Sequence, residues 1–122
     1  MIYINIIDKW NILFFINGYT QEQLIYCLKK LDCSKKSIRK ALKISKSINS
    51  GFTFSQPITS IVCISEATSI DEWFNTLIHE LKHVQTHICD YYNVNESGEE
   101  AAYLIGYIMK KFIQAWKNKS KL

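Results

Sequence analysis

The stretch SIDEWFNTLIHELKHVQTHI, residues 69–88, determines how the second half of this chain folds. It opens with Ser69 and has Glu72 three residues later, which is the pattern of a helix capping box. Apolar residues then recur at helical spacing, which predicts a long helix over about 70–91 with one apolar side. That side carries Phe74, Leu77, Leu81, Val84 and Ile88.

Around this helix, the sequence predicts four strands and three further helices in the order ββααββαα. We expect strands over residues 2–7, 10–16, 52–54 and 60–65, and helices over 21–31, 35–48 and 98–117. The residues of 49–51, Asn-Ser-Gly, indicate a turn. Because strands and helices do not alternate one by one, we expect an α+β fold, with a small, mostly antiparallel sheet packed on helices.

Composition and charge limit the class of protein. A chain of 122 residues with 48% apolar and 21% charged residues fits a single globular domain, residues 1–122. The longest apolar run, 12–16, is far below the roughly 20 residues that span a bilayer, and the N-terminus lacks a signal-peptide pattern. We therefore expect a soluble, cytoplasmic protein with no membrane partner.

Cysteines and lysines give weaker indications. Cys27, Cys33, Cys63 and Cys89 lack Cys-x-x-Cys spacing, so we expect reduced, mostly buried thiols. The basic residues of the helix 35–48 follow helical spacing and predict a solvated face. A nucleic-acid surface there is the weaker alternative, and we expect no nucleic-acid partner.

His79 and His83 are the residues with the clearest chemistry. They lie four residues apart inside the predicted helix, so both imidazoles project from one face, one turn apart. Two neutral imidazoles at this spacing can converge on a single Zn²⁺. Glu80 comes beside the first of them and is placed to take a proton from a water that the metal activates.

A catalytic zinc needs a third protein ligand, and the last predicted helix offers three acids. They are Glu96, Glu99 and Glu100. On a helical wheel Glu99 falls beside Ala102 and Gly106, which are small enough to let two helices approach closely. We therefore prefer Glu99 over Glu100. The alternative is that both acids simply stabilise the N-terminus of their helix.

His87 lies a further four residues along, but helix geometry excludes it from the same ligand set. It is about 12 Å from His79 along the helix axis. Zinc–nitrogen bonds of about 2 Å cannot span that length while His83 also binds. We expect His87 to support the site, to face a substrate or to be exposed.

These residues resemble a known group. His-Glu-Leu-Lys-His at 79–83, followed by Glu99 and by Ala-Tyr-Leu-Ile-Gly-Tyr at 102–107, resembles the zincin superfamily of metallopeptidases, in particular its gluzincin branch. With the stretch 49–55, the chain is similar to small predicted peptidases of Bacteroidota phages and mobile elements. The resemblance covers about residues 49–108. No metzincin-type third histidine is present, and the chain has little room for a second subdomain.

The resemblance implies a minimal zincin-like fold and a function. His79, His83 and Glu99 would hold Zn²⁺, Glu80 would be the general base, and a peptide or protein would be the substrate. The strand 60–65 would be the edge strand along which an extended peptide lies, and the protein would act in the cytoplasm of a bacterial host. Tyr103, Tyr107 and His87 all remain candidates for stabilising the oxyanion. The alternative is a non-catalytic zinc-binding regulatory or interaction module.

Overall fold

The computed structural model of the chain describes residues 1–45 and 51–120. Within these residues the elements are β1 (Ile2–Ile6), β2 (Trp10–Ile16), α1 (Gln21–Lys30), α2 (Lys35–Ser45), β3 (Gly51–Gln56), β4 (Thr59–Ile64), α3 (Ile70–Tyr92) and α4 (Glu99–Ser120). The predicted α+β class and the order of elements are confirmed. The predicted extension of the second helix to residue 48 and the start of the turn at 49–50 lie outside the described residues.

The four strands form one sheet in the order β1-β2-β4-β3. β1 and β2 pair antiparallel, as do β3 and β4, whereas β2 and β4 pair parallel. The sheet is thus mostly antiparallel, as expected. The prediction that strand 60–65 is an edge strand is wrong, because β4 lies between β2 and β3. The physical reason is that every residue of β4 is buried. A strand that is buried along its whole length needs cover on both faces, which the interior of a sheet provides.

Helices cover both faces of this sheet, because the central strands are apolar on both sides. Along β2, Trp10, Ile12 and Phe14 pack with residues of α3 and α4, while Leu13 and Phe15 pack with residues of α1 and α2. α3 contacts β3 and β4, and α4 contacts β1. The sheet therefore holds α3 at one edge, above β3, and α4 at the other.

The ends of the helices follow the predicted caps. Ser69 Oγ accepts a hydrogen bond from the backbone N–H of Glu72 and starts α3, while Thr20 and Gln23 form a complete capping box at α1. α3 ends at Asn93, whose φ of 58° is left-handed and whose N–H bonds to the carbonyl of Cys89. These caps fix where the residues of α3 begin and end relative to the sheet.

α3 and α4 run antiparallel. The rings of Trp73 and Trp116 lie 5.0 Å apart at one end of the pair, and Gln85 Nε2 donates to the carbonyl of Ala101 at the other. Leu77, Leu81, Val84 and Ile88 are buried as predicted, but the prediction for Phe74 is wrong: 43% of it is exposed, and its neighbour Trp73 is buried instead. The reason is that α3 packs on α4 as well as on the sheet. Its buried side is therefore rotated about the helix axis, relative to the predicted one, so that it includes Trp73 and excludes Phe74.

In the described part of the chain, no helix is both long and apolar enough to cross a membrane.

Candidate metal centre

The two histidines of the HELKH stretch, residues 79–83, meet on the exposed side of α3. Their Nε2 atoms are 3.3 Å apart and their ring centroids 4.9 Å apart. The four-residue spacing on a well-capped helix produces this meeting, because it stacks the two side chains on one face. The structure therefore brings the imidazoles of His79 and His83 into contact, as predicted.

The separation of the two nitrogens also tests whether a zinc ion fits. Two ligand nitrogens about 2.0–2.1 Å from zinc and related by a tetrahedral angle are about 3.3–3.4 Å apart. The Nε2 atoms of His79 and His83 are 3.3 Å apart. This separation equals that of two corners of a tetrahedral site, and it is also the length of a hydrogen bond between the two imidazoles.

Glu80 is directed away from solvent, toward the edge strand β3. Its side chain is only 5% exposed, and its Oε1 accepts a hydrogen bond of 2.7 Å from the hydroxyl of Thr53. Gly51 lies beside it: a Cβ at that position would be in ordinary contact with Cγ of Glu80 at 3.5 Å, but only 2.8 Å from the carbonyl oxygen of Cys63 and 2.9 Å from Cγ2 of Thr76. Burial and then the negative charge of Glu80 raise the pKa of the Cys63 thiol, which keeps that thiol protonated.

The third ligand is not assembled. In residues 1–45 and 51–120, no three His, Cys, Asp or Glu side chains are grouped so as to hold one metal ion. Glu99 and Glu100 are exposed in the first turn of α4 and line a depression beside the α3–α4 loop. Glu99 as a zinc ligand therefore stays a prediction.

Glu96 is the one of the three candidate acids that bonds to α3. Its Oε1 accepts from the hydroxyl of Thr86 at 2.5 Å and from Nζ of Lys82 at 3.0 Å. These hydrogen bonds, Thr86 first, lower the pKa of the Glu96 carboxyl. Since Lys82 precedes His83 and Thr86 lies one turn further on, Glu96 borders the histidine face.

The expected close approach of the helices at Ala102 and Gly106 is wrong. Both residues are exposed, and a Cβ on Gly106 would meet no atom within 4 Å. The helices approach at Ala101 instead, where Gln85 reaches the backbone. The buried stripe of α4 follows Ala101, Ile108 and Phe112, whereas Trp116 is 38% exposed. The side of α4 that carries Ala102 and Gly106 thus faces away from α3, which removes the basis for preferring Glu99 over Glu100.

His87 is bonded to the sheet and not to the histidine pair. Its Nδ1 lies 2.6 Å from the hydroxyl of Ser55 on β3, and its ring centroid is 6.5 Å from that of His83. Burial lowers the pKa of His87, the neighbouring His83 lowers it further, and Asp90 opposes both. Tyr103 and Tyr107, the other candidates for the oxyanion, are exposed on α4.

Three polar side chains near the site were not predicted from the sequence. They lie on β3 and β4 and are Thr53, Ser55 and Ser60. One signal could have found two of them. Phe52 and Phe54 alternate with Thr53 and Ser55, and a strand that buries its phenylalanines on one face presents the residues between them on the other. The sequence does not show that this other face meets α3.

Comparisons with known proteins return no match: no family model, no curated protein and no solved structure matches the chain. The interpretation of the site therefore depends on its geometry and on the residues that form it.

Proposed function

We propose that the chain is a zinc-dependent metallopeptidase in which His79 and His83 bind the metal and Glu80 is the general base. The observation that carries the proposal is the 3.3 Å separation of the two Nε2 atoms, which suits tetrahedral zinc. The adjoining Glu80 supports a catalytic centre over a purely structural one, because a structural site has no use for a carboxylate beside its ligands.

The residues of the chain have separate roles in this reaction. Bound zinc supplies a Lewis acid that polarises a carbonyl and makes water acidic. Glu80 would accept a proton from the attacking water and pass it to the leaving amine. Thr53 holds Oε1 of Glu80, and Oε2 carries no hydrogen bond in the described part of the chain, so Oε2 is free to take the proton.

A peptide is the substrate that suits the neighbouring strand. Within the described residues, β3 pairs on one side with β4 and has no strand on the other. It also contacts α3, which carries the histidines. An extended peptide can add to such an edge by main-chain hydrogen bonds. We therefore propose β3, in place of the strand 60–65, as the edge that binds the peptide.

The proposal is tested by measuring bound zinc and peptide cleavage on the purified protein. We expect stoichiometric zinc, lost in His79→Gln and His83→Gln, and cleavage of a peptide library that Glu80→Gln abolishes while zinc stays bound. Cleavage that is unchanged in Glu80→Gln would remove the general base. A protein that binds no zinc would overturn the metal centre itself.

The third ligand is identified by the same zinc measurement on single variants. Glu96→Gln, Glu99→Gln and Glu100→Gln are compared under identical conditions. Loss of a direct ligand should weaken zinc binding by more than the roughly 10- to 100-fold that loss of an outer hydrogen-bonding partner costs. The acid whose removal does so completes the site, and the other two variants are its controls.

A non-catalytic zinc module is the second candidate, because the described residues bring only two candidate ligands together. In that protein zinc would fasten α4 or its preceding loop to α3. Zinc would then raise the urea midpoint of unfolding, and no peptide would be cleaved. Glu80→Gln would leave both properties unchanged, which separates this candidate from the peptidase.

A further inference from the structure

A chain of four hydrogen-bonded side chains runs from the core to the surface beside the histidine pair. Trp10 Nε1 donates to Ser60 Oγ at 2.9 Å, Ser60 Oγ lies 2.7 Å from Ser55 Oγ, and Ser55 Oγ lies 2.6 Å from His87 Nδ1. Trp10 and Ser60 are buried, while Ser55 and His87 are half-buried. The chain therefore connects the interior of the sheet to a partly exposed imidazole.

The direction of these hydrogen bonds follows from the donors available. Indole N–H can only donate, so Ser60 Oγ accepts from Trp10. Ser60 then gives its own proton to Ser55, and Ser55 gives its proton to His87 Nδ1. If Ser55 donated to Ser60, Ser60 would accept twice and its buried hydroxyl proton would have no acceptor in the described part of the chain. If His87 Nδ1–H donated to Ser55, Ser55 would accept twice and its own proton would likewise have no acceptor there.

This direction selects one tautomer of His87. With Nδ1 accepting from Ser55, the neutral ring carries its proton on Nε2. Nε2 makes no hydrogen bond within the described residues, and His87 is half-buried. The ring thus presents an oriented N–H donor on the same helix as the metal pair, one turn beyond His83.

His87 also lines a depression with a mostly apolar lining. The depression has a volume of about 240 Å³, and Trp10, Pro57, Tyr91 and His87 are among the residues that line it. The exposed ring of Tyr91 forms one wall and meets the buried ring of Trp10 edge to face at 5.6 Å. A flat or branched apolar group would suit such a wall.

We propose that His87 is a substrate-binding residue that donates its Nε2–H to a backbone carbonyl of a peptide whose apolar side chain occupies the depression beside Trp10 and Tyr91. Ser55 is a positioning residue that sets the tautomer, and Ser60 and Trp10 orient Ser55. The proposal rests on the proposed function only in taking a peptide as the substrate. Binding by His87 requires neither zinc nor cleavage.

The tautomer is tested by the long-range ¹H–¹⁵N spectrum of the imidazoles above neutral pH. We expect His87 to be in the Nε2–H form in the native chain and to become a mixture of both tautomers in Ser55→Ala. Ser97→Ala, which changes an exposed serine of the α3–α4 loop, is the matched control and should leave the spectrum unchanged. An Nδ1–H ring in the native chain would overturn the proposal.

Binding is tested with N-acetyl-phenylalanine amide as the probe, followed by the signals of His87 and Trp10. We expect both signals to shift on titration, and the dissociation constant to rise on the order of tenfold in His87→Ala. His87→Gln, which keeps an N–H donor of similar reach, should recover most of the affinity. N-acetyl-glycine amide, which lacks the apolar group, should bind more weakly by a similar factor.

The outcomes separate this inference from the peptidase proposal. If the probe shifts His87 and Trp10 but no peptide is cleaved, the binding site stands and the peptidase fails. If peptides are cleaved but neither signal shifts and His87→Ala binds the probe as well as the native chain, the peptidase stands and this inference is overturned.

Discussion

At the scale of single residues, the contact between Thr53 and Glu80 is the one on which the site most depends. Among the described residues, the Glu80 carboxylate, which is only 5% exposed, has a single side-chain donor, the hydroxyl of Thr53, at 2.7 Å. A buried ionised group that loses its donor pays the cost of its lost hydration. Thr53 therefore acts on both the stability of the fold and the position of the proposed base.

Replacing Thr53 with Val tests this role, because Val keeps the shape and removes the hydroxyl. We expect the free energy of unfolding to fall by about 1–3 kcal/mol, measured by urea denaturation. Thr53→Ser keeps the donor and serves as the control. A Thr53→Val variant as stable as the native chain would show that Glu80 finds another donor.

Residue identity predicted part of the site. The meeting of His79 and His83 follows from helical spacing alone, since a helix stacks residues four apart whatever surrounds it. Thr53, Ser55 and Ser60 could not be found in the same way. Their contacts depend on which strand lies under α3, and the pairing of β3 with β4 joins residues through a register that local patterns do not contain.

At the scale of elements, the close contact of β3 with α3 depends on Gly51. A Cβ there would lie 2.8 Å from the carbonyl oxygen of Cys63 and 2.9 Å from Cγ2 of Thr76, so strand or helix would have to move. We expect Gly51→Ala to lower the free energy of unfolding by about 1–3 kcal/mol, and to weaken zinc binding as α3 shifts.

Gly106 is the matched control for that substitution. It lies inside α4, and an added Cβ meets no atom within 4 Å. Gly106→Ala should therefore raise the free energy of unfolding by about 0.5–1 kcal/mol, because alanine favours the helix. Equal effects of the two substitutions in denaturation experiments would contradict the close approach at Gly51.

Glu96 attaches the loop between α3 and α4 to α3, and the stabilisation that this contact gives the fold depends on pH. Hydrogen bonds from Thr86 and then Lys82 place the pKa of folded Glu96 below its ordinary value of 4.5. The stabilisation is therefore complete above about pH 4.5 and is lost as pH falls through the lower, folded pKa. We expect native and Glu96→Gln chains to differ in urea midpoint at neutral pH and to converge in acid.

Thr86→Val provides the second variant for this prediction, since it removes the hydrogen bond that lowers the pKa of Glu96 most. Its midpoint should show a weaker dependence on acid than that of the native chain. Native and Glu96→Gln profiles that stay parallel down to the acid limit would show that the carboxylate contributes nothing to the fold.

Element boundaries were predictable because they have local causes. Ser69 caps α3 through the N–H of Glu72, and the β-branched runs of β1 and β2 stop at turns. The place of each strand in the sheet has no local cause. β4 became central because α1, α2 and β3 all lie between it and β2 in the chain, and that crossover allows parallel pairing.

At the scale of the whole molecule, one core joins the first strand to the last helix. Phe112 of α4 is 1% exposed and its ring centroid lies 4.6 Å from that of Phe14 in β2. Ile2, Ile4 and Ile6 of β1 belong to the same cluster. The fold therefore closes only when α4 covers this face of the sheet.

Phe112→Ala should accordingly lower the free energy of unfolding more than any substitution on the surface of α4. We expect a loss of about 3–5 kcal/mol in the free energy of unfolding, from lost burial and the cavity left behind. Ile113→Ala, at a neighbouring position that is 40% exposed, should cost less than about 1 kcal/mol. Similar losses in the two variants would place α4 elsewhere.

The pairing of β1 with α4 also sets an order of events during synthesis. β1 leaves the ribosome more than 90 residues ahead of α4. At about 5–20 residues per second, its apolar face waits roughly 5–20 s for its cover. During that interval Ile2, Ile4 and Ile6 form an exposed, β-branched segment in the nascent chain. We expect it to be the segment that a ribosome-bound chaperone holds longest.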